Sequence, residues 1–346
     1  MGQLIKIKDR LVGVGQPCFI IAEIGSNHNQ DWNLTLKTID AAVEAGVDAV
    51  KFQTFKAAEH VSAKAETPSY LKTSDKLQDI IRQLELNRDW QKPLMQYCQE
   101  KGVIFFSSPC DYEAVDQLEA LGVPAHKVAS FDLPDTDLIR YIAKTGKPVI
   151  LSTGLANWMD IQRAIDVCHD ADNNQIILLQ CTSLYPAPVG LSNLRAMETM
   201  RVAFNVLTGY SDHTMGDTVP CAAVAHGACV IEKHLTLDRT LPGPDHPFAA
   251  EPAELRTLVV RIRDTEAALG DGLKNGPRSE ELEMAEMCRR SLHANRPIKA
   301  GETITAAMLT IKRPGYGVQP FLKEKIIGRI AKRDIEADDW ITWDMV

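Results

Sequence analysis

In the stretch C-F-I-I-A-E-I-G-S-N-H, residues 18 to 28, a carboxylate follows an apolar run that reads as a buried strand. A lone buried charge is strongly disfavoured, so Glu23 needs either a partner or a task. Lys51 in V-D-A-V-K-F-Q-T (47 to 54) and Lys127 in H-K-V-A-S (126 to 130) stand in the same setting. Other apolar runs end in hydroxyls and amides: Gln53, Ser107, Ser108, Ser130, Ser152, Thr153, Gln180, Thr182, Ser183 and Ser211. Two lysines among such hydroxyls suit a small molecule carrying a phosphate and a carboxylate. His213 and His234 close two consecutive runs, and two imidazoles with open positions suit a divalent cation that also binds water and substrate. Each signal alone is weak, since lysine is a common surface residue and a lone histidine is more often a hydrogen-bonded core residue. Glu232 shares the strand face of His234 by period-two alternation and would support it, while His28 could simply brace the loop after Glu23. Glu23 itself would either pair with a lysine or move protons, and position leaves both open.

These residues require elements that bring them together. The strand-like runs at 18–25, 47–54, 103–108, 126–130, 148–153, 176–182, 205–212 and 229–235 alternate with helical segments such as 34–43, which ends near Gly46. This alternation predicts a (β/α)8 TIM barrel over residues 1–275, whose active-site face collects the C-terminal strand ends. An open doubly wound sheet is the alternative, but no G-x-G-x-x-G follows the first run. The long polar stretch 55–87 would cover a ligand or form an exposed insertion. Residues 276–290 read as a linker with a charged helix, and 291–346 as a small β-rich domain with strands at 297–305, 309–317 and 327–335.

Composition excludes several classes. At 346 residues and 45 % apolar content the chain can bury a large core, and a net charge of -8 disfavours a nucleic-acid or anionic-membrane binder. Eight cysteines without a C-x-x-C pair fit reduced thiols in a cytoplasmic protein. No apolar segment approaches the roughly 18 residues of a membrane span, and no signal peptide is expected.

Taken in order, E-I-G-S-N-H (23 to 28), V-K-F-Q-T (50 to 54), S-S-P (107 to 109), H-K-V-A-S (126 to 130), I-L-S-T-G (150 to 154), Q-C-T-S-L-Y-P-A-P (180 to 188), G-Y-S-D-H-T (209 to 214), E-K-H-L-T (232 to 236), L-P-G-P-D-H (241 to 246) and K-R-P-G-Y-G (312 to 317) cover nearly the whole chain. They resemble the sialic acid synthases and their legionaminic and pseudaminic acid counterparts. The resemblance implies a barrel followed by a small antifreeze-like (SAF) domain, paired as a domain-swapped homodimer. It implies condensation of phosphoenolpyruvate with the aldehyde of an open-chain N-acylmannosamine-type sugar, giving a nine-carbon 2-keto acid and phosphate by C–O cleavage. By matched motif, Lys51, Ser108, Lys127, Ser130, Ser152, Ser183 and Ser211 would hold phosphoenolpyruvate. His213 and His234 would hold Mn2+ or Mg2+, and Glu23 would be the acid/base residue. Gln53, Asp132, Tyr185 and Asp245 would serve the sugar, with Arg313 of the partner chain on its N-acyl carbonyl. Departures occur at Ser108, Ser183 and Asp132, where other members have threonine, asparagine or glutamate. D-H-P-F-A-A-E-P (245 to 252) also differs, near the sugar.

Two other readings compete. A phosphoenolpyruvate-dependent synthase of a shorter ulosonic acid would share the pocket but has no use for Arg313. An ice-binding role for the C-terminal domain would need a flat apolar or Thr-rich face, whereas residues 291–346 are heavily charged.

Overall fold

A computed structural model describes residues 3–67 and 74–346. The chain divides after Gly270 into two compact units. In the first, β1 (Leu4–Ile7) and β2 (Arg10–Gly13) form an antiparallel hairpin. Eight parallel strands follow: β3 (Phe19–Gly25), β4 (Ala49–Thr54), β5 (Ile104–Pro109), β6 (His126–Val128), β7 (Val149–Ser152), β8 (Ile176–Cys181), β9 (Leu207–Asp212) and β10 (Val230–His234). Their hydrogen-bonded order, β5-β4-β3-β10-β9-β8-β7-β6, sets β3 beside β10, and β5 and β6 lie close enough to make the barrel near-closed.

Each expected run overlaps one of these strands, β5 alone reaching one residue past its run to Pro109, because strands covered on both faces read as continuous apolar segments. β3, β5, β9 and β10 are buried at every residue. Fully burying each Ile, Leu or Phe in them contributes roughly 1.5–3 kcal/mol, so this core dominates the unit's stability. The first crossover helix, Trp32–Ala45, starts where the Asp31 side chain accepts from the Leu34 amide and stops at Gly46, whose φ of 85° favours glycine. It buries Thr35, Thr38, Ile39, Ala42 and Ala45, a stripe at helical spacing that packs on the sheet. The hairpin is absent from the sequence-based expectation. Its Ile5, Ile7 and Val12 join the barrel's apolar cluster, and Gln3 donates to the Asn174 carbonyl just before β8, placing the hairpin across the strand starts.

In the second unit a helix, Leu282–Cys288, precedes β11 (Ser291–Ala294), which pairs antiparallel with β12 (Leu309–Lys312). The strands expected at 297–305 and 327–335 are reduced to single bridges, Ile298 with Ile335 and Thr303 with Ile330. Gly301 and Gly328, at φ 85° and 84°, turn the chain out of the extended form there. The unit is held by its own apolar core, including Leu292, Ile298, Ile304, Ile326 and Ile341. Among the described residues no helix is long and apolar enough to cross a membrane, and all eight cysteines are free thiols.

Candidate active site

Strand alternation sorts the polar residues at the strand ends into two sets. One set ties the fold together. Ser107 shares a 2.8 Å hydrogen bond with Thr54, while Thr153, Gln180 and Thr182 donate to the carbonyls of Leu179, Ser192 and Leu191. Asp212 points the same way and pairs with Lys233 at 2.6 Å. The other set lines a cavity of about 210 Å³: Glu23, Lys51, Gln53, Ser108, Lys127, Ser130, Ser152, Ser211, His213, Glu232 and His234, joined by Asp132, Tyr185 and Asp245 from the loops.

Ser183 lies outside that lining, against Gly154. A side chain at Gly154 would collide with the Ser183 hydroxyl, with Cys181 and with Ser130, which explains the glycine. Arg313 belongs to the second unit, where it is exposed at the end of β12.

Lys51 meets Glu23 at 2.6 Å, Ser108 at 3.4 Å and Glu232 at 3.9 Å. Lys127 donates to the Ser152 hydroxyl at 2.6 Å and lies 3.9 Å from the other oxygen of Glu232. Glu232, expected to be only a support for His234, therefore faces the cavity between both ammonium groups, with Ser211 donating to it at 3.0 Å. Glu23 reaches its position through an irregularity. The register of β3 against β4 shifts between Glu23 and Gly25, and Gly25 adopts φ 45° where a Cβ would strike the Glu23 carboxylate. The bulge re-aims the side chain, and Gln53 fixes it with a 2.7 Å hydrogen bond.

Burial raises the Glu23 pKa against the opposing pull of Lys51, and it pushes Asp245 up to about 7, with repulsion from Glu23 adding to it. For Glu232 burial acts upward too, yet Lys127 and Lys51 together hold it below the usual range. Burial lowers Lys127, whereas in Lys51 the carboxylates of Glu23 and Glu232 outweigh it. Burial thus works against the charged forms of Glu23 and Lys127, while Lys51 and Glu232 are each held in their charged form by their neighbours; two lysines beside hydroxyls suit an anion.

The imidazoles of His213 and His234 converge, with ring centroids 5.5 Å apart. His213 donates its Nδ1 hydrogen to the Thr182 carbonyl at 2.8 Å, because a carbonyl can only accept, and its Nε2 keeps a free lone pair. His234 Nδ1 is buried without a hydrogen-bond partner and lies 3.7 Å from Asp245. Burial lowers the pKa of both rings, reinforced at His234 by His213 and Lys51, so both are neutral near pH 7, the form that ligates metals. Tyr185 and Phe248 pack at 4.4 Å from His213 and 5.0 Å from His234, limiting ring rotation. Two neutral imidazoles, an orphaned ring nitrogen and a nearby carboxylate fit a divalent ion.

The opposite wall was not legible from strand ends. Phe55, His60, Leu77, Ile80, Ile81 and Leu84 come from the 55–87 stretch, and Cys110 follows β5. The described part of that stretch therefore covers the cavity, and residues 68–73 lie outside the described residues. The apolar positions 77, 80, 81 and 84 recur at helical spacing, the one signal that could have marked this wall.

A (β/α)8 barrel whose strand ends enclose buried lysines and carboxylates beside an imidazole pair has the architecture of a barrel enzyme with its site at the C-terminal strand ends. A sequence model of the NeuB family matches residues 38–274, and one of the SAF domain matches residues 289–346. The chain belongs to the NeuB family. It is 42 % identical over 328 residues to the N,N'-diacetyllegionaminic acid synthase of Campylobacter jejuni, covering 93 % of this chain and 98 % of that protein. Identity to the enzyme of the same name from Legionella pneumophila is 38 % over 342 residues, 96 % of each chain. The N-acetylneuraminic acid synthetase of Leptospira borgpetersenii, solved with citrate, superposes with a TM-score of 0.74 at 35 % identity, covering 83 % of this chain and 96 % of that one.

Proposed function

We propose that this enzyme condenses phosphoenolpyruvate with the aldehyde of an open-chain N-acylmannosamine-type sugar, forming a nine-carbon 2-keto acid and phosphate. The observation that carries the reading is the pair of buried lysines flanking Glu232 next to two converging imidazoles. Relatives named as legionaminic acid synthases support the substrate class.

In this reading Lys51 and Lys127, with Ser108, Ser130, Ser152 and Ser211, hold the phosphate and carboxylate of phosphoenolpyruvate by charge-assisted hydrogen bonds, whereas Ser183, against Gly154 outside the cavity lining, takes no direct part. The methylene carbon attacks the sugar aldehyde, water adds to the former enol carbon, and the bond from that carbon to the phosphate oxygen breaks. Glu23, raised by burial and held by Gln53 and Lys51, exchanges the protons this sequence requires. His213 and His234 would hold a divalent ion, Mn2+ or Mg2+, which would supply Lewis acidity toward the aldehyde oxygen. Tyr185, Asp132 and Asp245 orient the sugar. Arg313 of a partner chain in a domain-swapped homodimer binds its acyl carbonyl, and the protein works in the cytoplasm. Phosphate release is the test, measured with phosphoenolpyruvate plus N-acetylmannosamine or a 2,4-diacetamido-hexose, with and without chelator. Release that needs both sugar and metal is expected; absence of release with every N-acyl sugar tested would refute the reading.

A further inference from the structure

The cavity carries a second group of metal donors on the wall facing away from the imidazole pair's strands. His60, at the end of the short helix Ala57–His60, Cys110, just past β5, and Asp132, just past β6, each offer one ligand atom, and these atoms lie within 4.8 Å of one another. Three separate segments supply them, so the convergence is a product of the fold and not of sequence adjacency. All three line the cavity. The Cys110 thiol already leans on Asp132, at 3.5 Å from its carboxylate, and the His60 ring is stacked on Phe55 with centroids 5.3 Å apart.

We infer that His60, Cys110 and Asp132 form a binding site for a thiophilic divalent cation of the Zn2+ class, distinct from the His213–His234 pair. One thiolate, one imidazole and one carboxylate are the donor types that Zn2+ takes at about 2.0–2.3 Å, with a fourth position open to water. Donor atoms around such an ion stand roughly 3.3–3.7 Å apart, so side-chain adjustments of about 1 Å close the site. The bound metal takes the place of the thiol proton, which is released to solvent. Mg2+ prefers oxygen ligands and octahedral geometry, so the thiol discriminates against it.

Occupancy has a consequence that rests on the synthase reading above. Asp132 is assigned there to the sugar, and an ion that engages its carboxylate takes that end of the pocket from the acceptor while leaving Lys51 and Lys127 to phosphoenolpyruvate. Zn2+ is then an inhibitor competitive with the sugar.

The test begins with binding and needs no turnover. Full-length protein in excess Mg2+ is titrated with Co2+, whose thiolate complexes show a near-ultraviolet charge-transfer band, and the cobalt is then displaced by Zn2+. One equivalent is expected to raise the band. The Cys110→Ser variant loses it, and His60→Ala weakens Co2+ binding by more than about tenfold, the loss typical of even an outer partner. Far-ultraviolet circular dichroism verifies that both variants are folded. Absence of the band in the wild type, or its persistence in folded Cys110→Ser, overturns the site. In turnover assays Zn2+ should raise the KM for the sugar and not for phosphoenolpyruvate, an effect lost in Cys110→Ser. Failure of all turnover would strike the synthase reading and leave the binding result standing.

Discussion

The barrel unit and the C-terminal unit treat charge in opposite ways. Glu23, Lys51, Lys127, Asp212, Glu232 and Lys233 are each at most 4 % exposed, whereas among the described residues the C-terminal unit buries only Ser291 and His293 as polar side chains. Every Asp, Glu, Lys and Arg from Asp271 onward reaches solvent. Burying a charge costs several kcal/mol unless it is well paired, so a unit that accepts the cost six times needs a reason. Within the barrel the reason divides. Lys233 is enclosed by Asp212 and the carbonyls of Thr214 and Gly216, a closed structural pair. The pocket charges are shared: Lys51 pairs with Glu23 and Lys127 donates to Ser152, each at 2.6 Å, while both stand 3.9 Å from Glu232, and Glu232 Oε2 and His234 Nδ1 keep no hydrogen-bond partner. A carboxylate shared between two lysines, in place of a closed one-to-one pair, separates the site from the scaffold.

The largest effect should come from the imidazoles. On the proposed metal role, His234→Ala, or chelation of the wild type, should remove an electrophilic contribution of several kcal/mol, so kcat should fall on the order of 10³-fold in a phosphate-release assay. Next, Lys127→Met removes one of the two charges facing the anion, and kcat/KM for phosphoenolpyruvate should fall about 10²–10³-fold. A variant of near wild-type activity would make the pocket lysines as structural as Lys233 and erase the distinction.

A third prediction sharpens the cost of burial. His28 is fully buried, and burial, against one favourable backbone hydrogen bond, lowers its pKa from 6.5 to about 4. Between those values the unfolded chain binds the proton and the folded one does not, so stability is full above pH 6.5 and falls as pH drops toward 4. The loss reaches about 3 kcal/mol, and urea midpoints measured across that window should flatten in His28→Gln. The smallest effect lies in the C-terminal unit. Arg313→Ala should leave stability within about 0.5 kcal/mol, as for most surface positions. It should raise the KM for the sugar roughly tenfold, the worth of one charged hydrogen bond, with the KM for phosphoenolpyruvate unchanged.

The barrel was legible because eight buried strands write themselves as apolar runs with polar ends. Which polar ends face inward depends on the last residues of each strand, and there the sequence was ambiguous. Asp212 and Glu232 both sit at strand ends, yet one turns toward Lys233 and the other into the cavity. The aim of Glu23 depends on a bulge at Gly25 that no local pattern marks. The L-I-K-I and R-L-V-G segments of the hairpin are only four residues each, too short to stand out as strands. In the C-terminal unit, apolar residues between glycines looked like strands but close a core through single bridges. The wall with His60 and Cys110 comes from the connections after β4 and β5, where chemistry-bearing residues carry no strand-end signature.

Carbon–oxygen cleavage of an enol phosphate held by Lys51 and Lys127 is the central step of the proposed reaction. Phosphoenolpyruvate carrying a heavy oxygen isotope in its bridging position, turned over with an N-acyl sugar acceptor, tests it most directly by mass spectrometry of both products. The label should appear wholly in the released phosphate, with the new keto acid taking its oxygen from water. Label retained in the sugar acid would contradict the account.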